Sequence, residues 1–348
     1  GRGQDHPHPG DDFVTTDAPP RPFRIDVHPR AGAGSELVED ARRGLASDPR
    51  NLPPKYFYDA RGSDLYEQIT RLPEYYQART ELSILHEVAC GLVSRHAPAE
   101  LIEIGSGSSR KTEALLDAIA EQQRTATYIP FDVCPEAILG AAQRLAAQYP
   151  WLSIHGVAGD FVRHLRHLPR RRGRRAVAFL GGTIGNLEPR ERAALLRELA
   201  LLLEPGDVLI VGTDLQGDPE RIRRAYDDSA GVTAQFNLNL LNVLNLGLDA
   251  DFDPESFQHI ARYNEEFGRI EMWLRSARAQ SVRLGGLETT LELVRGDEIR
   301  TEISCKFTQQ SVVEMYESAG LHLSEWHEDP EGRFALSVAV RGSATVTG

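Results

Sequence analysis

Glu100-Leu-Ile-Glu-Ile-Gly105-Ser-Gly107-Ser-Ser-Arg110-Lys111-Thr112 decides the fold. It opens as a short apolar strand pattern, turns at the two glycines, and leads into the helical spacing of Glu113-Ala-Leu-Leu-Asp-Ala-Ile-Ala120. A strand that empties into such a turn lets backbone N–H groups and a helix N-terminus approach a small ligand with no side chain in the way. A P-loop frame, G-x-x-x-x-G-K-[ST], fails because position 110 is arginine. The third glycine of a dinucleotide fingerprint falls on the same Arg110. A ligand with an adenosine and a charged amino-acid tail, but no pyrophosphate, needs neither glycine, and S-adenosylmethionine is such a ligand. Taken alone, the motif also fits a plain turn.

The following segments argue against the plain turn. Thr127-Tyr-Ile-Pro-Phe-Asp132 reads as a second strand ending in an acid, 25 positions after Gly107, where a carboxylate accepts from ribose hydroxyls. Leu152–Phe161 reads as a third strand ending in Asp160-Phe161, a carboxylate for an adenine amino group beside a ring for the base. Ala176–Gly182 runs into Thr183-Ile-Gly-Asn186, and Asp207–Asp214 follows a helix over Arg190–Leu203. Every strand delivers its polar residues at its carboxyl end, where open α/β sheets bind ligands. The fold class is therefore α/β, a Rossmann-like doubly wound sheet, with a second α+β unit.

The chain has 348 residues, 41% of them hydrophobic, enough for one full α/β domain and a smaller unit. No apolar run approaches the roughly 18 residues that span a bilayer, and no signal-peptide pattern opens the sequence. Three scattered cysteines, Cys90, Cys134 and Cys305, fit small buried apolar residues of a reduced cytoplasmic protein, not a disulfide framework or a metal site. A net charge of −12 disfavours nucleic acid as a partner. The seven arginines between Arg163 and Arg175 read as a solvated loop, because neither a basic helix nor an aromatic platform accompanies them.

Residues 1–24, rich in proline and glycine, read as a disordered arm. Residues 80–216 with 306–348 form the doubly wound domain, with Leu321–Trp326 and Arg333–Val340 as a closing hairpin. Residues 25–79 with 217–305 form the second unit: an aromatic-dense N-terminal piece, a helical stretch over 219–247, and strands at Phe257–Asn264, Arg269–Ser276, Gln280–Leu284 and Glu298–Phe307.

Six motifs in order, Lys55-Tyr-Phe-Tyr58-Asp59, Arg71-Leu-Pro-Glu-Tyr75-Tyr76, Glu103-Ile-Gly-Ser-Gly107, Gly182-Thr-Ile-Gly-Asn186, Ala225-Tyr226-Asp-Asp228 and Arg300-Thr-Glu302-Ile-Ser304, give a resemblance. From about residue 35 onward the chain resembles the actinobacterial histidine Nα-methyltransferases of ergothioneine biosynthesis. The resemblance implies a class I methyltransferase domain joined to a histidine-recognition domain, and S-adenosylmethionine-dependent trimethylation of free L-histidine to hercynine. It implies cofactor contacts at Tyr58, Gly105, Gly107, Lys111, Asp132, Asp160 and Phe161. It assigns Tyr75, Asn186 and Tyr226 to the substrate's amino and carboxylate groups, Met272, Glu302 and Ser304 to the imidazole, and Gly181 to the same pocket. Tyr75 and Asn186 are the expected catalytic pair, without a metal, and the enzyme is expected to act as a monomer away from membranes. At position 66 tyrosine stands where the family would have phenylalanine, a change that touches only fine contacts.

These assignments have a chemical logic. An asparagine just past the fourth strand can accept from an amine and donate to a carboxylate. Glu302 and Ser304 lie two apart on a strand, so they share a face and give an imidazole a partner for each nitrogen. Each residue also has a plainer reading: Lys111 as an exposed helix lysine, Glu302 and Ser304 as a solvated strand face, Tyr75-Tyr76 as a core pair. The rival activities are N-methylation of another amino acid such as tryptophan, and a non-catalytic module that only binds S-adenosylmethionine. A carboxylate at the pocket base has no use against an indole.

Overall fold

The computed structural model describes residues 23–28, 33–123 and 125–342. Its strands are β1 (Phe23–Val27), β2 (Glu100–Ile104), β3 (Thr127–Asp132), β4 (Ser153–Ala158), β5 (Arg175–Phe179), β6 (Val208–Asp214), β7 (Phe257–Asn264), β8 (Arg269–Ser276), β9 (Gln280–Leu284), β10 (Thr289–Leu293), β11 (Glu298–Cys305), β12 (Leu321–Glu328) and β13 (Phe334–Arg341). Eight of them form one sheet in the order β1-β4-β3-β2-β5-β6-β13-β12. The pairs from β1 to β6 are parallel, and β13 lies antiparallel between β6 and β12. The closing hairpin expected from the sequence is thus present. The chain winds outward from β2 in both directions, so the crevice at the carboxyl ends of β2 and β5 is where a ligand is expected.

All five residues of β2 are buried, and alternate ones feed different cores. Leu101 and Tyr128 pack with Leu85, Leu115 and Phe334 on one face, while Ile102 and Ile129 pack with Phe179, Leu196 and Tyr316 on the other. That split follows from the period of two along a strand. The buried residues of a third apolar core fall within Leu37–Tyr76 and Ile222–Ile299. It gathers the antiparallel sheet β11-β8-β7, the hairpin of β9 and β10, and the helices Ala60–Ile69 and Val232–Leu248.

Several expectations need correction. Most of the expected arm, residues 1–22, lies outside the described residues, but Phe23 and Arg24 belong to β1 and not to an arm. Residues 25–27, assigned to the second unit, complete that strand on the edge of the main sheet, where Asp26 meets His155 of β4 at 2.7 Å. The arginine-rich connection is not simply solvated. Arg175 is buried against Glu100 at 2.7 Å, and Arg171 clamps Asp207 and Glu204. Strand β10 was not expected from the sequence; its residues are mostly exposed, and only Leu293 is buried. Of the three cysteines only Cys305 is buried. Among the described residues no helix is long and apolar enough to cross a membrane.

Candidate functional site

The glycine turn after β2 is held from below. Asp132, at the tip of β3, accepts from Gly107 N–H through Oδ2 (2.7 Å) and from Cys134 N–H through Oδ1 (2.9 Å). Beneath the turn the Tyr128 hydroxyl bonds the buried Glu103 carboxylate, and burial pushes that carboxyl up to about 7 despite this hydrogen bond. Gly105 and Gly107 have φ of +69° and +48°, and a Cβ on either would meet nothing within 4 Å. The backbone is therefore exposed to open space in a conformation that glycine alone adopts readily.

The other expected cofactor residues are held by contacts of their own. Lys111 donates to Glu81 at 2.5 Å, and Glu81 in turn accepts the Gly181 N–H at 2.8 and 2.9 Å. Asp160 is buried at the tip of β4, with Lys55 Nζ 3.6 Å from Oδ2, and Phe161 stands edge-on to Phe179. Lys55 also bridges to Glu36 and Asp40.

A cavity lined in part by Gly181 opens next to Lys111. Tyr58, Tyr75, Gly181, Asn186, Tyr226, Met272, Glu302 and Ser304 all line it. Residues distant in sequence are carried there by local devices. Arg79 donates to the carbonyls of Leu72, Pro73 and Tyr75 and so fixes the turn that presents Tyr75. Asp228 accepts from Val232 N–H and Thr233 N–H at the start of the helix that follows, securing the turn after Tyr226. Asp59 does the same for the Ala60–Ile69 helix through Gly62 N–H, next to Tyr58. The turn Thr183–Asn186 lies so close to β11 that a Cβ on Gly185 would sit 2.8 Å from the Cys305 carbonyl oxygen.

That close approach creates the polar centre of the site. Asn186 Nδ2 donates to Glu302 Oε1 (2.7 Å) and to the Ile303 carbonyl (2.8 Å), leaving Oδ1 as the amide's open acceptor. Burial pushes the Glu302 carboxyl up to about 7, although the Asn186 hydrogen bond and the Lys306 charge pull it down. Tyr226 donates to Ser304 Oγ at 2.9 Å. Tyr75 is held well above its ordinary pKa by burial and by the neighbouring tyrosines Tyr66 and Tyr226, so it stays a neutral phenol.

The sequence reading missed four contributors. Lys306, fully buried, donates to Asp214, Ser304 and Tyr226. It continues the alternation Glu302, Ser304, Lys306, which was a usable signal. Asp214 also accepts from Tyr76 and Gln77 and lines the cavity. Gln77 lines it too, with its Oε1 unpartnered. Phe236 packs against Tyr58 and Tyr66 on an aromatic wall, and nothing in its helix singled it out.

The profile of the family described as "Histidine-specific methyltransferase, SAM-dependent" matches residues 37–341. The chain belongs to that family. It is 49% identical over 309 residues to the histidine N-alpha-methyltransferase of Mycolicibacterium smegmatis, spanning 89% of this chain and 96% of that one. To the protein of the same name from Mycobacterium tuberculosis it is 47% identical over 305 residues, spanning 88% and 95%. Ergothioneine biosynthesis protein 1 of Neurospora crassa is 32% identical over 293 residues, which is 80% of this chain and 32% of that protein.

As a member of this family the chain uses S-adenosylmethionine, and its residues fit that molecule. The bare glycine backbone faces open space, Asp132 and Asp160 are carboxylates at successive strand tips, and the turn needs no third glycine without a pyrophosphate. Among the described residues no group of three or more His, Cys, Asp or Glu side chains is arranged to hold a metal.

Proposed function

We propose that this chain trimethylates the α-amino group of free L-histidine with S-adenosylmethionine, giving hercynine in the first step of ergothioneine biosynthesis. One observation carries the reading: Glu302 and Ser304, two apart on β11, open into the same cavity as Asn186 and Tyr226. A carboxylate and a hydroxyl then serve the two ring nitrogens, while the amide and the phenol serve the amino-acid end. Met272, apolar and buried at the same wall, fits the flat face of the ring. The names carried by the mycobacterial relatives support the same substrate.

In this proposal Gly105 and Gly107 give backbone contact to the cofactor, Asp132 takes the ribose, and Asp160 with Phe161 takes the adenine. Lys111 takes the methionine carboxylate, and Tyr58 closes the mouth between the two ligands. When bound, S-adenosylmethionine supplies an electrophilic methyl group on a positively charged sulfur. The attacking amine has to be uncharged, with its lone pair free. In the first two transfers Asn186 Oδ1 is the acceptor that holds an amine N–H and so turns the lone pair away from itself; the dimethylamine of the third has no N–H to give. Tyr75, a neutral phenol, steers the departing proton as a hydrogen-bond partner and not as a phenolate base.

Each transfer adds one methyl group, and the third ends with a quaternary cation. Tyr58, Tyr66, Tyr75 and Phe236 contact one another as tilted or edge-on rings around the cavity. Such walls exclude water and favour a cationic ammonium by about 0.5–2 kcal/mol per good contact. Most of the rate is expected from positioning. The proposal also has the chain working as a cytoplasmic monomer. Incubation with L-histidine and S-adenosylmethionine should yield a trimethylated product by mass spectrometry. No methylated histidine, with transfer to tryptophan instead, would overturn the reading.

A further inference from the structure

Lys306 is a buried ammonium at a position no ligand can reach directly. Its side chain is 0% exposed. A lysine has three N–H donors, and all three are used: 2.7 Å to Asp214 Oδ2, 2.9 Å to Ser304 Oγ and 3.2 Å to the Tyr226 hydroxyl. Asp214 is itself held by the Tyr76 hydroxyl (2.8 Å) and Gln77 Nε2 (3.1 Å). The ammonium lies 4.8 Å from the centre of the Tyr226 ring. Burial works against its charge, but Asp214 outweighs this and keeps the group protonated.

The consequence falls on Ser304. A hydroxyl has two acceptor lone pairs and one hydrogen. Ser304 Oγ accepts from Lys306 Nζ and from the Tyr226 hydroxyl, so its acceptor capacity is spent and only its own hydrogen is left for a ligand. Glu302 is the opposite case: Oε1 accepts from Asn186, and the rest of the carboxylate can only accept further. One face of β11 therefore offers a ligand one donor and one acceptor, in fixed order.

We propose that Lys306 is a positioning residue that sets the hydrogen-bond polarity of the ring subsite, forcing Ser304 to donate so that the site selects a ring with one N–H and one bare nitrogen. This deepens the reading that Glu302 and Ser304 face the substrate's imidazole, and it rests on that reading. A neutral imidazole matches the pattern in a single tautomer. An indole or a pyrrole has the N–H but no bare nitrogen, and leaves the Ser304 hydrogen unpaired in a dry pocket. A site built around such a bond rejects analogues that lack it far more strongly than a greasy pocket does.

The test compares L-histidine with the two β-pyrrolylalanine isomers, linked through ring carbon 2 or 3, each of which keeps one N–H and replaces the bare nitrogen with C–H. Binding is measured by calorimetry on the full chain saturated with S-adenosylhomocysteine, in wild type, Ser304→Ala, Lys306→Met and the double variant. Wild type should prefer histidine over the better isomer by more than about 100-fold. Lys306→Met should lower that preference about tenfold, and it should add almost nothing in the Ser304→Ala background, because it acts through that hydroxyl. Because Lys306→Met alone leaves Asp214 buried and unpaired, Lys306→Met with Asp214→Asn is measured alongside and should show the same loss of preference. Additive effects of Lys306→Met and Ser304→Ala, or an unchanged preference in both lysine variants, would overturn the role of Lys306 alone. Unchanged histidine affinity in both Ser304→Ala and Glu302→Ala would instead sink the substrate reading, and this proposal with it.

Discussion

Replacing Glu302 with glutamine keeps the size and shape of the side chain and changes only the order of donors and acceptors at its tip. Asn186 Nδ2 is committed to Glu302 Oε1 and to the Ile303 carbonyl. A glutamine at 302 has a single carbonyl oxygen, and Asn186 claims it. The NH2 group is then what faces the substrate, where the proposed pairing has a carboxylate oxygen accept a ring N–H. Exchanging the ring's tautomer gives no escape, because Ser304 can only donate to the other nitrogen. The loss is one hydrogen bond to a charged group, about 1.5–3 kcal/mol. At about 1.4 kcal/mol per factor of ten, that weakens histidine roughly 10- to 150-fold. Calorimetric titration of L-histidine into protein saturated with S-adenosylhomocysteine reads this directly. The affinity for S-adenosylhomocysteine itself is the control, since Asp132 and Lys111 make their bonds elsewhere. A Glu302→Gln protein that binds histidine within about threefold of wild type would refute the donor–acceptor assignment.

Three further outcomes are expected. Burial holds the free Glu302 carboxyl at about 7, and a free imidazole titrates near ~6.5, so below about pH 6 each carries a proton that the paired complex has no room for. Histidine affinity should then fall with a slope of about two per pH unit, dropping to about one in Glu302→Ala, and equal slopes would contradict the pairing. Tyr75→Phe removes a phenol but not the ring, so methylation should slow roughly tenfold while calorimetry finds S-adenosylhomocysteine affinity unchanged; equal losses in both would count against a role for the hydroxyl. Arg175→Ala leaves the fully buried Glu100 without its partner and should cost about 3–5 kcal/mol, read as a lower urea midpoint at constant slope. A shift of less than about 1 kcal/mol would mean that water replaces the guanidinium.

The sheet could be read early because its parallel strands are largely apolar and lead into glycines or polar residues at or just past their ends, and because backbone geometry demands glycine at Gly105 and Gly107. The pocket was legible through the family resemblance, which named eight residues that line one cavity. What stayed hidden has a common cause. Lys306, Asp214 and Gln77 act through one another, and their pairing spans separations of 92 and 137 positions. No local pattern encodes such a partnership, and a lysine in a sequence reads as solvent-facing until its carboxylate is found. Strand β1 was hidden for a different reason: its five residues follow a proline-rich stretch whose composition masks their alternation. The arginines at 171 and 175 looked like a solvated run because their acids, Asp207 and Glu100, lie 36 and 75 positions away.

The helix Tyr76–His96 carries more than its length suggests. Its first turns present Tyr76 and Gln77 to Asp214, and one turn further on Glu81 holds both Lys111 and the Gly181 N–H. In the proposed site a single rigid rod thus sets the spacing between the methyl donor's end and the acceptor's end, like the bed of a lathe. Changes in its middle should disturb both partners together, whereas the far wall on β8 and β11 is free to be recut for a different side chain without moving the tool.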